Sequence, residues 1–131
     1  MSSAEIQATS RWSVWILKAI LVLAFLAAGG AKLYGAPMMV KSFEHIGFGQ
    51  WFRYLTGALE IIGAVAMLVP SAPAFGALLL SCIMIGAIIT HAFIGGTAIP
   101  AIALLLMSAT VAFAHRNQLG DARNWFNGDN A

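Results

Sequence analysis

The chain has 131 residues, of which 60% are apolar and only 9% are charged, and its mean hydropathy is +0.85. A soluble domain averages about 45–50% apolar and about 25% charged residues, so this composition argues against a soluble domain, a disordered segment and a nucleic-acid-binding module. The formal net charge of +2 is too small to indicate an acidic partner. Because the chain has one cysteine, Cys82, it cannot form a disulfide framework or a two-thiol redox site, and we expect this residue to be buried. The composition therefore predicts a small integral membrane protein with one domain, residues 1–131.

The first apolar run, residues 13–33, predicts a membrane-spanning helix. About 20 residues at 1.5 Å each cross the roughly 30 Å of bilayer hydrocarbon. Trp15 lies at one end of the run and Tyr34 follows the other, as interfacial aromatic residues do. A cleaved signal peptide is the alternative, but the run is long for one. The polar residues 1–10 are expected to be frayed.

Residues 37–46 predict a short amphipathic helix lying in the membrane interface. Pro37 suits the first turn of a helix, and Gly47 suits a position just beyond its last turn. Met39, Phe43 and Ile46 recur on one face at helical spacing, which is typical of an interfacial helix. A plain loop outside the membrane is the alternative.

Three more spans are predicted over residues 52–69, 74–93 and 98–114. Turns at residues 70–73 and 95–96 separate them, and Pro100 is tolerated in the first turn of the last span. The predicted fold class is thus all-α, an integral membrane four-helix bundle with a short interfacial amphipathic helix between the first and second spans.

An even number of spans places both termini on the same side of the membrane. The basic residues at the terminal side are Arg11, Lys18, Arg116 and Arg123, against Lys32, Lys41 and Arg53 at the opposite side. Since positive residues favour the cytoplasmic side, this bias of four to three predicts that both termini are cytoplasmic.

Polar residues inside the apolar spans are the candidates for function. An ionised group at the bilayer centre costs roughly 2.5–3.5 kcal/mol on the insertion scale, so it usually faces the bundle and has a partner. Glu60 is the only formally charged residue between Tyr54 and Ala114, and it shares a helix face with Arg53. Several other polar residues of the spans lie in the same half of the bundle, which is the half opposite the termini. The candidate cluster consists of Lys32, Arg53, Thr56, Glu60, Thr90 and His91.

Two roles remain open for this cluster. In the structural one, Glu60 is neutralised by Lys32 or Arg53 and holds helices together, with Lys32 the expected close partner because the first two spans should be neighbours. In the functional one, the cluster forms a polar pocket for a quinone headgroup, a small anion or a proton. His91 is expected to be a hydrogen-bonded structural residue more than a proton carrier. The spacing of His and acidic residues predicts no metal site.

Two segments resemble the DoxX/DoxX-like family of small bacterial membrane proteins. They are Ala28–Leu33, which ends the first span with Lys32, and Phe52–Ala64, which contains Arg53 and Glu60. The resemblance extends over residues 15–114. It implies a four-helix bundle in the bacterial inner membrane, and the name-giving relatives are linked to a thiosulfate:quinone oxidoreductase and to complexes that handle oxidative stress.

The resemblance favours an accessory membrane subunit of a redox or sulfur-handling complex, with a soluble or membrane oxidoreductase as partner and quinone as the one cofactor to consider. A protein for ion or small-molecule permeation and an assembly factor without a ligand are the alternatives. The sequence identifies no catalytic residue, so it leaves enzymatic activity open. A homodimer is expected because four short helices enclose little volume.

Overall fold

The computed structural model describes residues 2–117 and Gly120, and for residues 7–10 it describes the backbone. The regular structure of these residues is helical, which confirms the predicted fold class. The helices are α1 (Ser3–Tyr34), α2 (Pro37–Ile46), α3 (Gln50–Leu68), α4 (Pro73–Ile94) and α5 (Ile99–Ala114). Arg123, which entered the charge count above, lies outside the described residues.

Helix α1 begins ten residues earlier than the predicted span, so the expectation of frayed residues 1–10 was wrong for its described part. Ser2 and Glu5 form a reciprocal capping box: the Ser2 hydroxyl accepts from the Glu5 N–H, and the Glu5 carboxylate accepts from the Ser2 N–H. These two bonds satisfy N–H groups that the first turn would otherwise leave unpaired. With 32 residues, α1 is about 48 Å long and exceeds the hydrocarbon thickness.

Three helices, α1, α3 and α4, are long and apolar enough to cross a membrane, and α5 is a shorter apolar helix. Its 16 residues rise about 24 Å, and Pro100 lies in its first turn as predicted. The other observed ends lie within two residues of the predicted ones. The molecule is therefore a multi-pass membrane protein whose helices alternate in direction.

Helix α2 has the predicted bounds, because its end signals are local. Pro37 lies in the first turn, and Gly47 ends the helix with a φ of 87°, a left-handed conformation that favours glycine. Phe43 is buried, and its ring centroid lies 5.8 Å from that of Phe52 on α3. The opposite face, with Lys41 and Glu44, is exposed. The apolar face of α2 thus packs on the start of α3.

The four long helices pack in the order α1, α3, α4, α5, and α5 returns to contact α1. Fully buried apolar side chains fill the interior, whereas many large apolar side chains face outward, as they do in a bilayer. Cys82 also faces outward on α4, so the expectation that it is buried was wrong. The largest buried apolar residues are Leu21, Phe25, Met67, Leu80 and Val111.

Candidate functional site

An ion pair between α1 and α3 is the centre of the candidate site. The Lys32 Nζ atom lies 3.0 Å from both carboxylate oxygens of Glu60. The side chain of Glu60 is 2% exposed and that of Lys32 is 12% exposed, so both partners are largely enclosed and the glutamate almost completely. This geometry agrees with the expectation that Lys32 is the close partner of Glu60.

Two glycines allow the backbones of α1 and α3 to approach closely enough for this pair. A Cβ atom added at Gly57 would lie 2.9 Å from the Lys32 Cβ atom and 3.0 Å from the Gly29 carbonyl oxygen. A Cβ atom added at Gly29 would lie 2.9 Å from the Gly57 carbonyl oxygen. Because both distances are shorter than ordinary contacts, small residues are required here, as is typical of close helix packing in lipid.

Arg53 joins the same two helices at the next turn. Its guanidinium donates to the backbone carbonyl of Lys32 and, through Nε, to the Gln50 side-chain oxygen at 2.7 Å. It also stacks on the Tyr54 ring, with the guanidinium carbon 4.3 Å from the ring centroid. Arg53 is 4% exposed. It therefore satisfies a carbonyl near the end of α1, and Glu60 has Lys32 as its ion-pair partner.

Gln50 extends this network to α2 and was missed in the sequence analysis. Its side-chain amide donates to the Val40 carbonyl oxygen at 3.2 Å while its oxygen accepts from Arg53. The spacing of Gln50 and Arg53, three residues apart on one helix, was the available signal. The contact with Val40 joins residues ten positions apart through a turn, which no helical periodicity predicts.

The remaining members of the predicted cluster make hydrogen bonds within their own segments. The Thr56 hydroxyl donates to the Phe52 carbonyl and the Thr90 hydroxyl to the Gly86 carbonyl, each at 2.8 Å. The His91 Nδ1 atom lies 3.3 Å from the Gly95 carbonyl oxygen. Among the described residues, the structure connects Lys32, Arg53 and Glu60 by side-chain bonds and contacts, and it shows no hydrogen bond from Thr56, Thr90 or His91 to that group.

The electrostatics of the site are those of a matched pair. The ammonium and carboxylate charges cancel, and Arg53 is held by two acceptors and an aromatic ring. Within residues 2–117, no group of three or more His, Cys, Asp and Glu side chains is arranged to hold a metal ion. The arrangement is chemically suited to fixing the positions of α1 and α3 relative to each other.

A second buried cation lies near the middle of α1, away from the Lys32–Glu60 pair. Lys18 is 7% exposed, and its Nζ atom lies 4.5 Å from the centroid of the Trp15 ring. Lys18 entered the topology prediction alone, although a lysine within an apolar run also indicates a buried polar site.

Comparison with known proteins identifies the family. The model of the DoxX-like family matches residues 16–114. An uncharacterized protein of Bacillus subtilis (strain 168), YdgD, is 34% identical over 82 residues, which cover 60% of this chain and 72% of the relative. No solved structure matches the chain. The matched range contains Lys32, Arg53 and Glu60 and all four long helices in whole or in part, so the resemblance seen in the sequence is confirmed. The chain is a member of the DoxX-like family.

Proposed function

We propose that the protein is an accessory membrane subunit of a quinone-linked redox complex. In this role the helical bundle anchors and orients a partner oxidoreductase in the bacterial inner membrane, and it does not conduct ions. Both termini are cytoplasmic in this proposal, and the bundle associates as a homodimer or with the partner.

The pairing of the buried charges is the observation that supports an anchoring role. Lys32 and Glu60 neutralise each other, and Arg53 is bonded to Lys32 and Gln50. Between the level of the Lys32–Glu60 pair and that of Lys18, the bundle interior contains a layer of buried apolar side chains, including Phe25 and Leu80. A permeation path needs polar groups or water along its length, and the packed apolar layer argues against one.

The redox part of the proposal comes from the family. The name-giving relatives are linked to a thiosulfate:quinone oxidoreductase, and the Lys and Glu of their polar motif correspond to Lys32 and Glu60. A quinone carbonyl accepts hydrogen bonds, so in this bundle we propose Lys32, whose side chain is 12% exposed, as the donor. A headgroup bound there would approach from the lipid side, near the end of α1.

Copurification tests the proposal. The tagged protein, extracted from its native membrane in mild detergent, should retain an oxidoreductase in fixed stoichiometry. Membranes from a deletion strain should lose quinone reduction by that partner, and the wild-type chain should restore it. The native mass of the complex also reports whether a homodimer is present.

Other results would overturn the proposal. Flux of ions or small solutes in proteoliposomes, abolished by Glu60→Gln, would identify a permeation protein. An intact partner complex that assembles only when this chain is present, yet does not contain it, would identify an assembly factor. Quinone reduction that is unchanged in the deletion strain would remove the redox assignment.

A further inference from the structure

A basic cleft opens between residues 11–18 of α1 and the end of α5, away from the Lys32–Glu60 pair. It has a volume of about 660 Å³, which is within the range of small-molecule sites. Four basic side chains and two aromatic rings are among its lining residues, namely Arg11, Lys18, His115, Arg116, Trp15 and Phe113. None of the acidic residues that the structure describes lines this cleft.

Two of the basic side chains have no hydrogen-bonding partner in the described part of the chain, Lys18 and His115. Lys18 is more than nine-tenths buried, and apart from its contact with the Trp15 ring the described part of the chain offers it no hydrogen bond or ion pair. The Nε2 atom of His115 is also buried and has no hydrogen-bond partner there. Burying an unpaired cation is costly, so the cleft has the donors of an anion site without an anionic side chain.

The surroundings of His115 in the cleft disfavour its protonated form, mainly because the ring is partly buried. Partial burial and the nearby charge of Lys18 lower the pKa of this histidine from its ordinary value. Arg116 stacks on the Phe113 ring at 4.3 Å and donates to the Phe113 carbonyl at 2.9 Å. Its guanidinium has five N–H donors, so most of them remain available to a ligand.

The location of the cleft indicates which anion it receives. Helix α5 ends at Ala114, so the cleft lies where the chain leaves the hydrocarbon. Trp12 and Trp15 are exposed at this level of α1, as expected at the depth of the headgroups. Basic pockets between membrane helices bind anionic headgroups. A lipid phosphate reaches this depth from the bilayer itself, while its acyl chains can lie along the apolar outer surface of α1.

We propose that the cleft formed by Arg11, Lys18, His115 and Arg116 binds the phosphate headgroup of an anionic phospholipid. The phosphate accepts from Lys18 and Arg116, and Trp15 and Phe113 flank it. This site is independent of the accessory-subunit function, since it uses other residues at the opposite membrane interface.

Lipid titration of the purified full-length protein in neutral detergent tests the site. Phosphatidylglycerol should raise the midpoint of thermal unfolding, whereas phosphatidylcholine and inorganic phosphate should not. Lys18→Met should unfold at the same or a higher temperature than the wild type without lipid, because a buried unpaired charge is gone, and it should lose the stabilisation by phosphatidylglycerol. Arg116→Gln, an exposed position, should weaken the apparent affinity at least about tenfold, and Lys41→Gln on the exposed face of α2 should leave it unchanged.

Three results would overturn the proposal. Equal stabilisation by phosphatidylcholine would mean that the effect is not one of headgroup charge. Equal stabilisation by inorganic phosphate would identify a soluble phosphate ligand in place of a lipid. An equal loss of affinity in Lys41→Gln and Arg116→Gln would show a general effect of net charge.

Discussion

At the scale of single residues, the Lys32–Glu60 pair is a stabilising contact whose two halves depend on each other. Glu60→Gln leaves the Lys32 ammonium without its counter-ion, and breaking a buried pair in this way costs about 3 kcal/mol. We expect that loss in the free energy of unfolding, and Lys32→Met combined with Glu60→Gln should restore part of it. The double variant keeps the Arg53 bond, because Arg53 donates to the backbone of Lys32. Unfolding of the variants in mixed detergent micelles, followed by tryptophan fluorescence, measures these differences.

Glu44→Gln is the matched control for this prediction, because Glu44 is exposed on α2 and its substitution should change stability little. A different result for Glu60→Gln would distinguish the structural role of the cluster from the functional one. If Glu60→Gln left expression and stability unchanged but abolished the complementing activity in cells, the pair would be a functional site and the structural role would be wrong.

At the scale of helices, glycine contacts set the distance between α1 and α3. Gly57→Ala inserts a Cβ atom 2.9 Å from the Lys32 Cβ atom, so the helices must separate, and overpacking of this kind costs about 1–3 kcal/mol. Gly30→Ala on α1, the other helix of this contact, is the control, since no atom lies within 4 Å of its added Cβ. It should be neutral or stabilising by up to about 1 kcal/mol through helix propensity. Equal effects of the two substitutions on unfolding in micelles would contradict the close-contact explanation.

The network around Arg53 couples three helices and makes a second prediction at this scale. Arg53→Met removes donors to the Lys32 carbonyl and to Gln50, so amide hydrogen exchange should become faster both at the end of α1 and in α2. Gln50→Ala removes the bond to the Val40 carbonyl and should affect mainly α2. Exchange that is equally slow in wild type and Arg53→Met would show that packing alone holds these ends.

At the scale of the whole molecule, residues near the helix ends were sufficient to predict where the helices lie in the chain. They were insufficient to predict all the contacts between the helices. Pro37, Gly47 and Pro100 act on the backbone nearby, so the corresponding helix ends were predictable. The pairing of Lys32 with Glu60 followed from depth and from the neighbouring position of two antiparallel spans. The cleft at Lys18 was not predicted, because it needs the return of α5 to α1 across the bundle. The Ser2–Glu5 capping box was present in the sequence and was overlooked because the segment is polar.

The orientation of the bundle is the last property of the whole molecule that can be tested. Residues 11–18 of α1 and the end of α5 line the same basic cleft, so they lie on one side of the bundle. A green fluorescent protein fused at the C-terminus should fluoresce, and alkaline phosphatase fused there should be inactive, because basic residues favour the cytoplasmic side. Substituting Arg11, Lys18 and Arg116 with glutamine leaves Arg123 alone against three basic residues on the other side, and this variant should show mixed or inverted orientation. Phosphatase activity in the unsubstituted fusion would mean that the termini are on the opposite side. Unchanged orientation in the triple variant would mean that the four-to-three bias does not determine it.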